Sequence, residues 1–304
     1  MSDRIALHGI AARGFHGVLA EEKAVGQPFS ADVVLEVDTA RAGASDDLSH
    51  TVNYAEVAAV AHGILAGPSL DLVETVANRI AEASLRHTVV EAVEVTVHKP
   101  QAPVGVPFDD VTVSVRRERD VPVVVALGAN LGLPAETLAS AVREVDALDG
   151  VTVQRASPLV ETDPVGGPEQ PTYLNAVLVA RTRLSPWHLL RELHAVEARH
   201  GRRREVRWGA RTLDLDLVQY GDPRAGGDVV LDDPELTLPH PRAHERAFVL
   251  VPWSEVDPAA RLRVGADVAD VPGLAARLDS GGVRPGPPWP APWWGSAPAG
   301  ERSR

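Results

Sequence analysis

The chain has 304 residues, of which 44% are hydrophobic, no cysteine and a formal net charge of −12 at pH 7. This length is enough for two domains that each bury their own core. The lack of cysteine excludes disulfides, thiolate nucleophiles and cysteine-ligated metals, and the net acidity argues against nucleic-acid binding as the main function. No apolar run approaches a membrane span and the first residues lack a signal-peptide pattern, so we expect a cytoplasmic protein that uses no membrane.

The first 120 residues contain both strand and helix patterns. Asn53 with Glu56, and Asp71 with Glu74, have the spacing of capping boxes, which predicts helices that begin there. Period-two alternation of apolar residues predicts the strands. The predicted order is β-β-α-α-β-β, with strands at residues 3–18, 28–38, 93–98 and 111–117 and helices at about residues 53–65 and 71–87.

A charged stretch at residues 116–120 precedes a new apolar strand, and we place a domain boundary between Asp120 and Val121. In residues 121–279 strands alternate with helices, which predicts an α+β domain with helices packed on a sheet. From residue 280 onward the composition is rich in proline and tryptophan and has no periodicity, so we predict that residues 280–304 are disordered. The predicted strands of this second domain are residues 121–127, 151–157, 174–184 and 213–220, and the helices are residues 135–148 and a helix opened by Ser185 and Pro186.

Four polar residues of the first domain are candidates for one site. Glu22 lies in a predicted loop, and Lys99 ends a predicted strand. Tyr54 and Glu74 lie in the first turns of helices. Lys23 and Lys99 are the only lysines among 30 basic residues, and lysine, unlike arginine, can release its proton for acid-base chemistry. Spacing alone leaves open whether these residues converge on a cleft or serve separately as a helix cap and solvated surface residues.

Several motifs of the first domain carry a resemblance to a known family. They are Gly14-Phe15-His16-Gly17, Glu22, Gly26-Gln27, Thr51-Val52-Asn53-Tyr54, Leu72-Val73-Glu74 and Val97-His98-Lys99-Pro100. By these motifs, residues 3–118 resemble dihydroneopterin aldolase. The resemblance implies a tunnelling fold (T-fold), in which four-stranded sheets and helix pairs of several subunits form rings with pterin sites between neighbouring subunits.

The same resemblance implies a role for each matching residue. Glu74 would anchor the amino-pyrimidine edge of the pterin, and Tyr54 would reach in from a neighbouring subunit. No cofactor is expected, because the N5=C6 imine of dihydroneopterin can accept the electrons of a retro-aldol cleavage; Lys99 is therefore an acid/base rather than an imine former. The implied catalytic residues are Lys99, Tyr54 and Glu22, and the implied pterin-binding residues are Glu74, Leu72 and Val73.

The second domain carries two aspartates on one predicted strand. In the run from Thr212 to Leu217, alternation places Asp214 and Asp216 on one face, about 6.6 Å apart, and the leucines on the other. Carboxylate oxygens of this kind suit Mg²⁺, although an ordinary half-exposed strand has the same pattern. Residues 199–211 add six arginines, which suit phosphate groups but also a solvated or RNA-binding loop. Together the two features predict metal-assisted phosphoryl transfer without a glycine-rich nucleotide loop.

Motifs along residues 123–258 carry a second resemblance. They are Leu127-Gly128-Ala129-Asn130-Leu131-Gly132, Glu161-Thr162-Asp163-Pro164-Val165-Gly166, Gln170-Pro171, Tyr173-Leu174-Asn175-Ala176, Glu197, Gly201-Arg202, the run from Arg207 to Asp216, Pro239-His240-Pro241 and the run from Arg246 to Leu250. By these motifs the domain resembles hydroxymethyl-dihydropterin pyrophosphokinase. The resemblance implies a ferredoxin-like α+β fold and transfer of pyrophosphate from ATP to a hydroxymethyl group, with two Mg²⁺ ions and release of AMP.

The second resemblance also assigns roles residue by residue. The implied metal ligands are Asp214 and Asp216. The residues implied to contact the pterin are Thr162, Val165, Tyr173, Asn175 and Phe248. The residues implied to bind ATP are Glu197, Arg202, Arg204, Trp208, Arg211, His240 and Arg246.

The product of the first reaction is the substrate of the second, so the sequence predicts a bifunctional enzyme of folate biosynthesis. Its expected partners are pterins, ATP and other copies of the chain, in a tetramer or octamer formed through the first domain. Two alternatives for the first domain stay open. It could catalyse epimerisation of dihydroneopterin or its triphosphate, or an oxygen-dependent side reaction, or it could be a non-catalytic assembly module.

Overall fold

A computed structural model describes residues 3–164, 170–202, 211–278 and 282–290. The chain divides into two compact units. The first consists of the chain up to Arg119 together with Arg183–Pro186, and the second of Asp120–Thr182 and the chain from Trp187 onward. Each unit combines helices with an antiparallel sheet, which confirms the predicted α+β class. Among the described residues, no helix is both long and apolar enough to cross a membrane.

The first unit is built on a four-stranded antiparallel sheet, whose strands follow each other in chain order. In chain order its strands and α-helices are β1 (Asp3–Gly14), α1 (Ala20–Val25), β2 (Gln27–Val37), α2 (Ala40–Ser45), α3 (Tyr54–Leu65), α4 (Val73–Ser84), β3 (Val90–His98) and β4 (Thr112–Glu118).

Alternation along β2 determines which face of this sheet is covered. Ala31, Val33 and Leu35 are fully buried, whereas the residues between them are half-buried. The buried face belongs to the same apolar cluster as Leu65 of α3 and Ile80 of α4. The sheet therefore has one apolar face against α3 and α4, and this packing sets the positions at which the two helices begin.

The second unit is built on a six-stranded antiparallel sheet. In chain order its strands and α-helices are β5 (Val121–Ala129), α5 (Pro134–Asp146), β6 (Val151–Ala156), β7 (Val160–Thr162), β8 (Tyr173–Thr182), α6 (Pro186–Arg199), β9 (Asp214–Tyr220), β10 (Leu231–Asp232), β11 (Thr237–Leu238), α7 (Ala247–Val256), β12 (Arg261–Val264), β13 (Asp267–Asp270), α8 (Val271–Arg277) and β14 (Val283–Pro285). The strand order is β14-β7-β8-β5-β9, and β6 also pairs with β8.

The central strands β5 and β8 are almost entirely buried, as expected for strands covered on both faces. One face packs against Leu250 and Trp253 of α7. Proline is the first residue of both α5 and α6, a position where its missing N–H is not needed.

Three local predictions were wrong. Glu22 lies in the short helix α1, not in a loop. The Asp71–Glu74 capping box does not form, because Leu72 is the N-cap of α4 and makes no side-chain cap bond. The predicted disordered tail begins too early, since residues 282–290 are described and include β14, which finds a partner in the exposed edge of β7.

Candidate active sites

A buried ion pair lies at the end of β3 in the first unit. The Nζ atom of Lys99 is 2.5 Å from Oε1 of Glu22, and each side chain is only 8% exposed. Lys99 Nζ also donates to the carbonyl oxygen of His16 at 3.3 Å. The backbone of Lys99 is fixed by a hydrogen bond from its N–H to the carbonyl of Val111 at 2.8 Å. The pair therefore has the fixed geometry and the low solvent access that proton transfer requires.

The Glu22 carboxylate is held in its charged form. Burial acts to raise its pKa, but the hydrogen bonds from Lys99 and from the Leu19 N–H outweigh burial, so the pKa of Glu22 lies below its usual value. Gln27 Nε2 donates to the same carboxylate at 3.3 Å. At Gly17, where φ is 149°, an added Cβ would lie 2.2 Å from Glu22 Oε2, so only glycine leaves room for the carboxylate.

His16 connects this pair to the helices. Its Nδ1 accepts a hydrogen bond from the Leu70 N–H at 3.2 Å, so its Nε2 donates to the Leu65 carbonyl at 2.9 Å and the ring is neutral. Complete burial lowers the pKa of His16. The histidine thereby ties the end of α3 and the segment before α4 to the backbone that contacts Lys99.

The remaining predicted residues of the first site lie at the surface of the single chain. Tyr54 is 60% exposed and Leu72 is 52% exposed, and Glu74 is also exposed. Val73 begins α4 and is half-buried. The chain thus buries the ion pair but leaves the tyrosine and the predicted pterin anchor open to a ligand or to another subunit.

The second unit contains a cavity of about 630 Å³, a size typical of small-molecule sites. Its wall is formed by β5, β7, β8, β9, the start of α7 and the start of β14. The lining residues that the sequence had singled out are Thr162, Tyr173, Asn175, Arg211, Asp214, Asp216, Arg246 and Phe248.

One side of this cavity has polar groups next to an aromatic ring. Asn175 Nδ2 donates to Thr162 Oγ1 at 2.8 Å, and both side chains are buried. Burial raises the pKa of Tyr173, which keeps its hydroxyl protonated. The Arg246 guanidinium lies 5.6 Å from the centre of the Phe248 ring. This arrangement suits a flat, polar heterocycle that stacks on a ring and exchanges hydrogen bonds at its edge.

The two aspartates share one face of β9, as the alternation predicted. Asp214 and Asp216 are half-buried, whereas Leu215 and Leu217 are fully buried on the other face. Burial, together with the neighbouring charge of Asp216, raises the pKa of Asp214. Asp214 Oδ1 is buried and forms an ion pair with Arg202.

The surrounding cations make this cluster suitable for phosphate groups. Asp214 contacts Arg211, and its Oδ1 lies 2.7 Å from Arg202 Nη1. Asp216 Oδ2 is 3.0 Å from Arg246 Nη1 and 3.8 Å from His240 Nε2. Burial lowers the pKa of His240. Among the described residues, no group of three or more acidic or histidine side chains could hold a metal by itself, so a cation here needs further oxygen ligands from water or substrate, as Mg²⁺ accepts.

Glu197 and Arg202 lie deeper, beside a second cavity of about 240 Å³ that Arg202, Asp216 and His240 line. Glu197 is 2% exposed, accepts a hydrogen bond from the Leu215 N–H at 2.7 Å and contacts Arg202. It therefore orients an arginine and β9 rather than facing the cavity. Val165, Arg204 and Trp208 lie outside the described residues.

Asn130 is a positioning residue that the sequence analysis did not single out. Its Oδ1 accepts a hydrogen bond from the Arg211 N–H at 2.8 Å, and its Nδ2 donates to Gln170 and to the Pro171 carbonyl. It thus connects the segments on either side of the cavity. Its position in the motif Leu127–Gly132 was the signal by which the sequence could have identified it.

Comparisons with known proteins divide the chain in the same way. Residues 5–116 match the family described as dihydroneopterin aldolase, and residues 124–258 match 7,8-dihydro-6-hydroxymethylpterin-pyrophosphokinase. A dihydroneopterin aldolase of Streptomyces coelicolor is 53% identical over 117 residues, which cover 38% of this chain and 98% of the relative.

The curated relatives that match the second domain include two pyrophosphokinases. The 2-amino-4-hydroxy-6-hydroxymethyldihydropteridine pyrophosphokinase of Pseudomonas aeruginosa is 39% identical over 149 residues, which cover 49% of this chain and 88% of the relative. The protein of the same description from Mycobacterium tuberculosis is 44% identical over 161 residues, which cover 52% of this chain and 84% of the relative.

The fold and the comparisons thus define a fusion of two enzymes. The chain belongs to the dihydroneopterin aldolase family through its first domain and to the 7,8-dihydro-6-hydroxymethylpterin-pyrophosphokinase family through its second. The predicted fold class, a T-fold domain followed by a ferredoxin-like pyrophosphokinase domain, is confirmed.

Proposed function

We propose that the chain catalyses two consecutive reactions of folate biosynthesis. The first domain cleaves 7,8-dihydroneopterin into 6-hydroxymethyl-7,8-dihydropterin and glycolaldehyde. The second transfers pyrophosphate from ATP to the new hydroxymethyl group and releases AMP. The observation that carries the proposal is that each domain has its own charged cluster, suited to its own reaction. The first domain has the Lys99–Glu22 pair, and the second has Asp214 and Asp216 among arginines.

In the aldolase reaction, the Lys99–Glu22 pair moves the protons. The proton of the side chain's second hydroxyl passes to the pair, and the bond between the first and second side-chain carbons breaks. Its electron pair moves toward the N5=C6 imine of the substrate, which gives an enamine and glycolaldehyde. A proton returned to the first carbon completes 6-hydroxymethyl-7,8-dihydropterin. The 2.5 Å contact and the burial of both side chains support this role.

We assign recognition of the pterin in this domain to Glu74, next to Leu72 and Val73. A carboxylate that accepts two N–H bonds from the amino-pyrimidine edge gives strict orientation. Tyr54 completes the site of a neighbouring subunit. The 60% exposure of Tyr54 in the single chain supports this assignment, because a side chain this exposed is free to contribute to a site on an adjoining subunit. The active form is therefore a homo-oligomer.

In the second domain, the pterin occupies the cavity between Asn175, Tyr173 and Phe248, and Thr162 fixes the Asn175 amide from behind. Arg202, Arg211 and Arg246 bind the phosphates of ATP, and His240 lines the second cavity. Arg202 and Arg211 are paired with Asp214, and Arg246 is paired with Asp216. If phosphate oxygens take the place of the carboxylates on the arginines, Mg²⁺ on the aspartates would compensate the carboxylate charges.

The aspartates also fit Mg²⁺, of which we propose two ions. The carboxylates of Asp214 and Asp216 are hard oxygen donors on one face of β9. When bound, the metal neutralises phosphate charge during transfer. The aldolase reaction needs no metal in this scheme.

The cytoplasmic location expected from the sequence stays a prediction.

The test is to incubate the full chain with 7,8-dihydroneopterin, first alone and then with ATP and Mg²⁺, and to follow glycolaldehyde and AMP by mass spectrometry. We expect glycolaldehyde in both reactions and AMP only in the second. AMP from added 6-hydroxymethyl-7,8-dihydropterin, without any glycolaldehyde from dihydroneopterin, would leave the kinase assignment intact and contradict the aldolase assignment. A product with an inverted side-chain hydroxyl would instead identify an epimerase.

A further inference from the structure

The segment of residues 282–290, here called the C-terminal segment, contributes to the larger cavity of the second domain. It lies beyond residues 124–258, which match the pyrophosphokinase family. Its strand β14 pairs antiparallel with β7, with Val283 opposite Thr162. Gly282 and Val283 line the cavity together with Thr162 and Asn175. A segment that the sequence predicts to be disordered is thus one wall of the candidate pterin site.

Three further contacts hold the C-terminal segment in place. The Arg284 guanidinium binds Asp163 in a bidentate manner, at 2.9 and 2.7 Å. The Gly286 N–H donates to the Leu159 carbonyl at 2.9 Å. An added Cβ at Gly286 would lie 2.8 Å from that same oxygen, so the approach requires glycine. In addition, Trp289 Nε1 donates to the Ser157 carbonyl at 2.9 Å.

These contacts matter because β7 is only three residues long. It lies between β14 and β8 in the sheet, and without β14 it would be a short edge strand with half of its backbone groups unpaired. Thr162 is the last residue of β7 and accepts the hydrogen bond of the Asn175 amide. The position of β7 therefore determines how Asn175 faces the cavity.

We propose that the C-terminal segment is a positioning element for the pterin of the kinase reaction, and that Arg284 is a positioning residue that acts through Asp163. The proposal rests on the proposed function of the second domain. The second cavity, with Arg202 and His240, is lined by other parts of the described chain. The segment carries none of the residues assigned to ATP, and within the larger cavity it adjoins Thr162 of the candidate pterin site. It therefore affects binding of the pterin and leaves binding of ATP nearly unchanged.

The test compares the full chain with its Arg284→Ala, Asp163→Ala and doubly substituted variants. The KM values for 6-hydroxymethyl-7,8-dihydropterin and for ATP are measured separately in the kinase reaction. We expect Arg284→Ala to raise the pterin KM about three- to fivefold, the size expected for loss of a partly exposed ion pair. The ATP KM should change less than about twofold. Because the two residues act as one unit, the double variant should be no worse than Asp163→Ala alone.

Arg277→Ala is the matched control, because Arg277 is an exposed arginine at the end of α8, outside both cavities. It should keep the wild-type KM values. Glycolaldehyde release by the same preparations and their thermal unfolding report on overall integrity. An unchanged pterin KM in Arg284→Ala overturns the proposal. Equal increases in both KM values also overturn it, because they indicate general damage to the domain.

Calorimetric binding of the pterin separates this inference from the proposed function. A wild-type chain that binds the pterin but forms no AMP contradicts the kinase assignment, and the variants then test the segment by affinity alone. In that case weaker binding by Arg284→Ala, with wild-type binding by Arg277→Ala, supports the positioning role. A wild-type chain that binds no pterin at the second domain overturns both.

Discussion

The two candidate sites differ in how much of each lies within a single chain. In the second domain the candidate pterin residues and the aspartates line one cavity of about 630 Å³. In the first domain the Lys99–Glu22 pair is buried, but Tyr54, Leu72 and Glu74 are exposed. Exposed residues of this kind are open to a ligand or to a second subunit. From this comparison we propose that the kinase site is self-contained and that the aldolase site depends on assembly.

The largest expected effect is a loss of aldolase activity alone, because only that reaction is assigned to proton transfer by Lys99. Lys99→Ala should lower aldolase turnover by up to about 10⁴-fold, the upper range for loss of an acid-base group. AMP formation from added 6-hydroxymethyl-7,8-dihydropterin should be unchanged. Lys23→Ala is the matched control, because the other lysine of the chain pairs with Asp71 at the surface. Glycolaldehyde release by Lys99→Ala at the wild-type rate would remove the ion pair from the mechanism.

The second expected effect is a loss of kinase activity without a loss of aldolase activity. Asp216→Asn should lower pyrophosphoryl transfer by about 10²- to 10³-fold, because one of the two carboxylates proposed to hold Mg²⁺ at the phosphates is lost. The aldolase reaction of the same preparation should keep its wild-type rate. Asp222→Asn, which changes a surface aspartate paired with Arg224, should leave both activities intact. A large loss of aldolase activity in Asp216→Asn would contradict the separation of the two sites.

A third variant tests pterin recognition in the first domain. Glu74→Ala should weaken binding of a pterin to the aldolase site by about 10- to 10²-fold, since the hydrogen bonds to this exposed carboxylate are expected to contribute about 1.5–3 kcal/mol in total. Glu82→Ala, at an exposed position of the same helix, is the control. Binding is measured by calorimetry in an Asn175→Ala background, which reduces pterin binding to the kinase site. Equal affinities of Glu74→Ala and Glu82→Ala would assign pterin recognition to other residues.

The smallest expected effect concerns acid stability of the first domain. Burial lowers the pKa of His16 from its ordinary value of 6.5, so the folded state keeps the ring neutral while the unfolded state takes up a proton. The contribution of the neutral ring is therefore fully present above pH 6.5 and is lost as the pH falls toward the lowered pKa.

Thermal unfolding from pH 7.5 to 5 measures this effect, and an NMR titration of the His16 ring reports its pKa directly. His16→Gln should unfold with a weaker dependence on pH than the wild type. His62→Gln, at an exposed position of α3, should keep the wild-type dependence. A His16 ring that titrates at or above 6.5 would contradict the buried, neutral state.

The sequence predicted the parts of both domains that have strong periodicity. The alternation that places Asp214 and Asp216 on one face, and the helix that begins after Asn53, need only local information. The helix α1 was missed because it spans six residues and depends on the Glu22 side chain, which accepts the Leu19 N–H. The roles of the site residues came from family resemblance, because spacing could not show that Glu22 and Lys99 meet.

Two other differences arise from tertiary contacts that no local pattern reports. The N-cap of α4 is Leu72 rather than Asp71, and the Asp71 side chain pairs instead with Lys23. The strand β14 has no alternation of its own, and it becomes ordered because β7 offers a free edge and Asp163 a partner for Arg284. In both cases tertiary packing outweighs the structure that the local sequence favours.

The most direct test of the contrast between the sites is complementation between inactive chains. Lys99→Ala and Tyr54→Ala chains are unfolded together in equal amounts, refolded and assayed for glycolaldehyde. If Tyr54 acts in a neighbouring subunit, random assembly restores about a quarter of the wild-type aldolase activity. The same mixing of Asp216→Asn with Asn175→Ala chains should restore no kinase activity. An aldolase mixture as inactive as its components, in oligomers shown to contain both chains, would contradict the account.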